Sequence, residues 1–340
     1  ANRIYPHSPR GHSQRFGFGG VSPVIVHLYN IIYMSKTATI IKTIIRILIG
    51  LMFIVSAVLK IFSLDTFEIY IYSLDFFGFV FSGFVARCVI AAELLLGSFL
   101  IAKILYKPTW WLTMAMMVVF TLFLVYVALF RNDANCHCMG ELVELNPARS
   151  IVKNLVLILL LLLIRKEDDW HFRGKVALGI SLLVASVAVP FALFPMDSFY
   201  QIFSREEQKV DMAKFSQFMQ DSTAQALQLD RGDYVIGYLA SGCKYCKISA
   251  TKIHTIFQNN QLDSTRLMFM IWGSEKSVRS FQEETETQGY RYESINPVEA
   301  LNIVFGQFPT YVYVHNGQVE RVANLRGLEE RDTVDFLSQK

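Results

Sequence analysis

Apolar residues dominate the chain from about Thr39 to Met196 and thin to ordinary density after Ser204, so the pattern itself sets a boundary near residue 200. In the first part, Pro108 to Phe130 and Val176 to Met196 carry no charge and match the roughly 20 residues that a bilayer-spanning helix needs. Three further runs carry charges, mostly near their ends. They are Thr39 to Phe62 with Lys42, Arg46 and Lys60, about Val80 to Ala102 with Arg87 and Glu93, and Ala148 to Ile164 with Arg149 and Lys153. Terminal Lys and Arg side chains can snorkel to the interface, so these runs are read as spans too. The expectation is an all-α membrane bundle of about five helices.

Beyond the boundary the period changes. An apolar run from Tyr234 to Ala240 predicts a strand, and Cys243 opens a helical segment that lasts to about Asn259. A strand from Arg266 to Trp272 follows, then a polar helix near Glu275 to Thr287, a short strand at Tyr290 to Ser294 and a helix from Pro297 to Val304. Pro309 to Val314 reads as another strand, and Asn316-Gly317 between two β-rich runs signals a hairpin. A helix from Leu328 to Leu337 closes a soluble α/β domain.

Composition agrees with this division. The chain has 340 residues, enough for about two domains. It is 53% hydrophobic and 18% charged, with a mean hydropathy of +0.34, which argues against a purely soluble enzyme. A net charge of +3 without a basic run leaves no footprint for nucleic acid. Lys36, Lys42, Arg46, Lys103, Lys107, Arg165, Lys166, Arg173 and Lys175 fall on one side of the spans, against Lys60, Arg87, Arg131, Arg149 and Lys153 on the other. By the positive-inside rule the richer side is cytoplasmic, so the loop from Arg131 to Pro147 and everything after Met196 lie outside the cytoplasm. The first methionine is Met34, and translation is expected to start there, with the first span as an uncleaved anchor. Residues 1–33 are then a non-native or disordered extension, 34–196 the membrane domain, 197–209 a linker and 210–340 the soluble domain.

Five cysteines occur, four of them in two close pairs. In Cys243-Lys244-Tyr245-Cys246 the first thiol stands at a helix N-terminus, where the dipole and unpaired N–H groups favour a nucleophilic thiolate. Lys244 and Lys247 add positive charge, and Cys246, one turn along, is placed to resolve a mixed disulfide. A strand, a CxxC, a Pro-Thr strand and an Asn-Gly hairpin together resemble a thioredoxin-like domain over about Met212 to Lys340. The resemblance implies that Pro309 is the cis-proline facing the cysteines, with Phe308 before it. Gly242 stands where many thioredoxins have tryptophan, so the redox potential does not carry over. Half a zinc site with His254 as third ligand, and a purely structural disulfide, are the alternatives. Cys88, alone in a span, reads as a packing residue.

The second pair, Cys136-His137-Cys138, follows the third span on the side of the soluble domain. Arg46 to Gly50, Ser56 to Lys60, Glu93 to Gly97 and Asn135 to Gly140, ahead of Asn146-Pro147, resemble the DoxX superfamily and its MauE (methylamine utilisation) branch over about Thr39 to Ile164. Met139 replaces the usual Phe. The resemblance implies a four-helix membrane protein associated with disulfide formation in periplasmic partners. A CxC disulfide closes a small, strained and therefore oxidising ring, suited to withdrawing electrons from Cys243 and Cys246. The rival readings are copper or zinc capture by Cys136, His137 and Cys138, and a structural role. Glu93, ionisable inside a span, pairs with Arg87 or Arg46 or relays protons to a quinone; no cofactor is expected to be tightly bound. The aromatic series Phe67, Tyr70, Tyr72, Phe76, Phe77, Phe79 and Phe81 is expected at the membrane interface. The whole reads as a thiol-disulfide oxidoreductase of the bacterial inner membrane. Its α/β domain lies in the periplasm and its partners are periplasmic cysteine-containing clients and the lipid bilayer. Electron delivery in the opposite direction, metal handling and a non-catalytic assembly role are the alternatives.

Overall fold

A computed structural model describes residues 23–131, 146–167, 169–197, 209–221 and 229–338. The helical part comprises α1 (Pro23–Phe62), α2 (Leu64–Tyr72), α3 (Phe79–Ala102), α4 (Tyr106–Phe130), α5 (Pro147–Leu163) and α6 (Lys175–Ala188). Among the described residues four helices are long and apolar enough to cross a membrane: Lys36–Phe62, Phe79–Ala102, Tyr106–Phe130 and Lys175–Leu193. The fifth expected span, α5, has 17 residues, at the lower limit for crossing. Residues 23–33 are helical and continuous with α1, and α2 is a separate short helix that hydropathy alone did not mark.

Local chemistry explains several boundaries. Asn146 caps α5 by accepting from the Arg149 N–H, with Pro147 at the first helical position, where its missing N–H costs nothing. Pro190 removes a backbone donor near the end of α6, and the helix finishes in a π-type turn, Val189–Leu193. The closest approach in the bundle is between α1 and α3. A Cβ on Gly97 would lie 2.7 Å from the Gly50 carbonyl oxygen, and one on Gly50 would lie 2.8 Å from the Gly97 oxygen. Both positions must therefore be glycine for these backbones to touch, in the manner of small-residue contacts between membrane helices.

The α/β part comprises α7 (Met212–Gln220), β1 (Asp233–Ala240), α8 (Lys244–Asn259), β2 (Leu267–Trp272), α9 (Glu275–Glu284), β3 (Arg291–Ser294), α10 (Pro297–Val304), β4 (Thr310–His315), β5 (Gln318–Ala323) and α11 (Glu330–Ser338). The sheet runs β3-β2-β1-β4-β5, with β1, β2 and β3 parallel and β4 and β5 antiparallel to their neighbours. A parallel βαβ half joined to a β-hairpin half is the thioredoxin-like arrangement. Asn316 (φ 48°) and Gly317 (φ 79°) form the tip of the hairpin, where both residues need a left-handed backbone. Alternate strand positions feed two cores. Val235, Phe269 and Tyr311 face α8, α9 and α11, whereas Ile236, Met268 and Val312 face α7 and α10.

The two parts are packed together. Ile69, Tyr72 and Phe79 belong to the same core as Ile253, Ile256 and Phe336 of the α/β domain. Asn259 Nδ2 donates to the Tyr72 carbonyl (2.8 Å), and the Phe79 N–H donates to Glu330 (2.8 Å). Lys252 pairs with Asp197 (3.1 Å) and lies 4.1 Å from the centre of the Phe79 ring, and Arg326 also pairs with Asp197 (2.8 Å). Asp197, assigned to the linker from sequence, is thus part of the contact. Of the rest of that linker, Lys209 is described and residues 198–208 lie outside the described residues.

Candidate functional site: a helix-capping dithiol and a buried polar cluster in the bundle

β1 ends at Ala240, and its continuation Ser241 to Cys243 is held by the Ser241 N–H donating to the Trp272 carbonyl (2.9 Å) and the Cys243 N–H to that of Ala240 (3.0 Å). Cys243 is the N-cap of α8, and its sulfur accepts from the Cys246 N–H at 3.3 Å. An N-cap side chain normally stabilises a helix by accepting such a bond. Here the acceptor is the Cys243 sulfur, so the same contact fixes this thiol at the start of α8. Cys246 is fully buried, and its sulfur accepts from the Ala240 N–H (3.4 Å). Burial pushes the Cys246 thiol well above the ordinary range, and the neighbouring Cys243 reinforces this. Both cysteines are free thiols in this structure. The accessible thiol is therefore at Cys243 and the protected one behind it.

The register pairs Tyr238 with Thr310, which brings Phe308-Pro309 beside the end of β1 from which the CxxC departs. The Phe308–Pro309 peptide bond is cis, and Phe308 packs against the core that holds both cysteines. The Trp272 ring lies 6.2 Å from that of Phe308 and remains 42% exposed, and Tyr245 within the motif is 59% exposed. These rings leave exposed aromatic surface beside the cysteine pair. Trp272 went unnoticed in the sequence because it reads only as the last residue of a strand.

Two details differ from expectation. Lys247 is engaged by Glu284 at 2.6 Å, a contact that also holds the Glu284 carboxyl below its usual range, so the charge of Lys247 is compensated. His254 is about two turns along α8 from Cys246 and shares a hydrogen bond with the Tyr290 hydroxyl (3.0 Å) instead of approaching the thiols. Cys136, His137 and Cys138 lie outside the described residues. Among the described cysteines, Cys88 is exposed on the outer surface of α3.

In the bundle, Glu93 pairs with neither Arg87 nor Arg46. Its partner is Lys60, at 2.7 and 2.9 Å, with Ser56 accepting from the same ammonium at 2.7 Å. Lys60 and Glu93 are almost completely buried, so Lys60 does not snorkel. Arg87 pairs with Glu68 of α2 and donates to the Phe194 (2.8 Å) and Pro195 (3.0 Å) carbonyls, which ties α2, α3 and the end of α6 together. Arg46 donates to the Leu100 (2.5 Å) and Ile101 (2.6 Å) carbonyls at the C-terminus of α3, where a cation meets the negative end of the helix dipole. The aromatic series is divided. Phe67, Tyr70, Tyr72 and Phe79 are buried, while Phe76, Phe77 and Phe81 are exposed.

These features define an integral membrane protein with a C-terminal α/β domain of thioredoxin-like topology. Residues 38–165, the greater part of the helical region, match the family model of the methylamine utilisation protein MauE. The chain is also similar to Protein TlpB of Flavobacterium psychrophilum, with 25% identity over 336 residues covering 82% of this chain and 90% of that relative. No solved structure matches the chain significantly.

Proposed function

We propose that the protein is a thiol-disulfide oxidoreductase of the bacterial inner membrane whose α/β domain faces the periplasm. The observation that carries this reading is the cysteine pair at the start of α8, with a semi-exposed Cys243 capping the helix, a buried Cys246 behind it and Phe308-Pro309 alongside. A client dithiol reduces the Cys243–Cys246 disulfide through a mixed disulfide at Cys243. The two electrons then pass by a second exchange to a Cys136–Cys138 disulfide and from there to a membrane acceptor such as a quinone. The MauE domain and the likeness to TlpB support a role tied to the membrane.

The test is alkylation trapping in native membranes. Cys246→Ser, which cannot form the internal disulfide, should accumulate mixed disulfides made by the Cys243 thiolate on oxidised clients, because the neighbouring thiol that would release them is gone. Cys243→Ser should form none. With Cys136 and Cys138 both replaced by Ser, Cys243 and Cys246 should still exchange with clients and then remain reduced after quinone is added. Client exchange that survives Cys243→Ser rules the reading out, and a wild-type pair that stays reduced in quinone-replete membranes reverses the direction of electron flow.

A further inference from the structure

The membrane domain contains a cavity of about 400 Å³ between α1, α2, α3, α4 and α5. Its wall is mainly apolar and aromatic, with Phe67, Tyr70, Phe120 and Phe123 among the rings. Its polar wall is the Lys60–Glu93 pair with Ser56, joined by Lys153 and Asn154 of α5. Phe76, Phe77 and Val119 line the cavity and are also exposed on the outer surface, so the mouth opens laterally between α4 and the turn after α2. The segment 132–145, which carries Cys136 and Cys138, joins α4 to α5, two of the walls.

We infer that this cavity binds the ring of an isoprenoid quinone, whose carbonyl oxygen takes over one of the three hydrogen bonds that the Lys60 ammonium makes to Glu93 and Ser56, with the tail leaving through the lateral mouth. The inference rests on the proposed redox reading for its biological sense but not for its geometry. The pair keeps exchangeable donors and acceptors on an otherwise apolar wall, to which an acyl chain would bring neither. A quinone offers two carbonyl acceptors on a flat apolar ring, and its reduced form offers two hydroxyl donors to a carboxylate such as Glu93. The volume is that of a small-molecule site holding a ring and the start of a chain. The reaction balances as one dithiol plus one quinone giving one disulfide plus one quinol. Two electrons and two protons leave the thiols and arrive on the two ring oxygens.

The test uses the full chain in lipid nanodiscs with a short-tail azido-ubiquinone as photoprobe and unlabelled ubiquinone-1 as competitor. Labelling should map to residues of α2, α4 and the 74–77 turn. Two variants should weaken it about tenfold or more, the size expected for a lost charge-assisted hydrogen bond or a blocked entrance. In one, Lys60→Met with Glu93→Leu removes both charges together so that neither is stranded. In the other, Val119→Trp narrows the mouth from an exposed position that the fold tolerates. A protein with all four paired cysteines changed to Ser should bind the probe as wild type does. If that protein binds while wild-type thiols are never re-oxidised, the redox reading fails and the site stands. Absence of competable labelling, labelling elsewhere, or unchanged binding in both cavity variants overturns the site.

Discussion

A cysteine that caps its own helix shows how one residue serves structure and chemistry together. The Cys243 sulfur takes the hydrogen bond that Ser or Asp takes at other helix starts, so Cys243→Ser should preserve the cap while removing the nucleophile, and a loss of exchange with little change in melting temperature separates the two roles. The histidines make a second residue-level case, with opposite signs. Burial, opposed by Glu286, holds the His254 pKa below the ordinary imidazole value, so the unfolded chain takes up that proton first. Stability from keeping His254 neutral is present above the unfolded pKa and is lost as pH falls through and below it. The hydrogen bond to Asp233 raises the His315 pKa, so its contribution is present at low pH and fades as pH rises through the folded value. Thermal melts of the full chain from about pH 5 to 8 should show a shallower acid-side loss for His254→Gln and a shallower decline toward alkaline pH for His315→Gln. Parallel slopes in both variants and wild type would remove these two groups from the pH dependence.

Between elements, the contact of α1 with α3 has the least tolerance. With Cβ positions 2.7 and 2.8 Å from the facing carbonyl oxygens, Gly97→Val or Gly50→Val must push the backbones apart. Overpacking of this kind costs roughly 1–3 kcal/mol or more, and it also displaces Glu93, one turn before Gly97, from Lys60. The expected result is a lower melting temperature in detergent together with weaker quinone labelling, whereas Gly179→Ala, where an added Cβ meets nothing closer than 3.5 Å, should change neither. Much at this scale was legible in the sequence. The Asn-Gly hairpin, the alternation of strands and helices and the long apolar helices each carry a local signal that tertiary packing did not override. The motif residues Arg46, Gly50, Ser56, Lys60, Glu93 and Gly97 were visible too, but not their pairing. Lys60 near the end of a hydrophobic run looks like a snorkelling side chain, and only the crossing of α1 over α3 shows that it faces Glu93. Helix α2 escaped for a related reason. Nine residues mixing Asp65 and Glu68 with aromatics have neither the length of a span nor the period of a surface helix, and its stability comes from packing on α3 and on the α/β domain.

At the scale of the whole molecule, the α/β domain rests on the bundle through the far end of α8. Asn259 and Asn260 touch Tyr72, whereas Cys243 is at the other end of a 16-residue helix, about 24 Å away at 1.5 Å per residue. The contact joins an apolar patch, Ile69, Tyr72 and Phe79 against Ile253, Ile256 and Phe336, to polar links at its edge: Lys252 and Arg326 on Asp197, Asn260 and the Phe79 N–H on Glu330. Under the proposed function, this distance along α8 would separate the encounter with clients at Cys243 from electron transfer into the membrane domain. If the domain must release this contact to deliver electrons, fixing the contact should uncouple the two half-reactions. A disulfide between Tyr72→Cys and Asn259→Cys, formed in a background without Cys88, tests this directly. The locked protein should exchange with clients at Cys243 as the unlocked one does, and Cys243 and Cys246 should then stay reduced in the presence of quinone until the lock is opened. Asp197→Asn, which loosens the same contact by removing the partner of Lys252 and Arg326, should leave re-oxidation intact or faster. Re-oxidation at the normal rate in the locked protein would mean that electrons reach the membrane domain without the α/β domain leaving its seat.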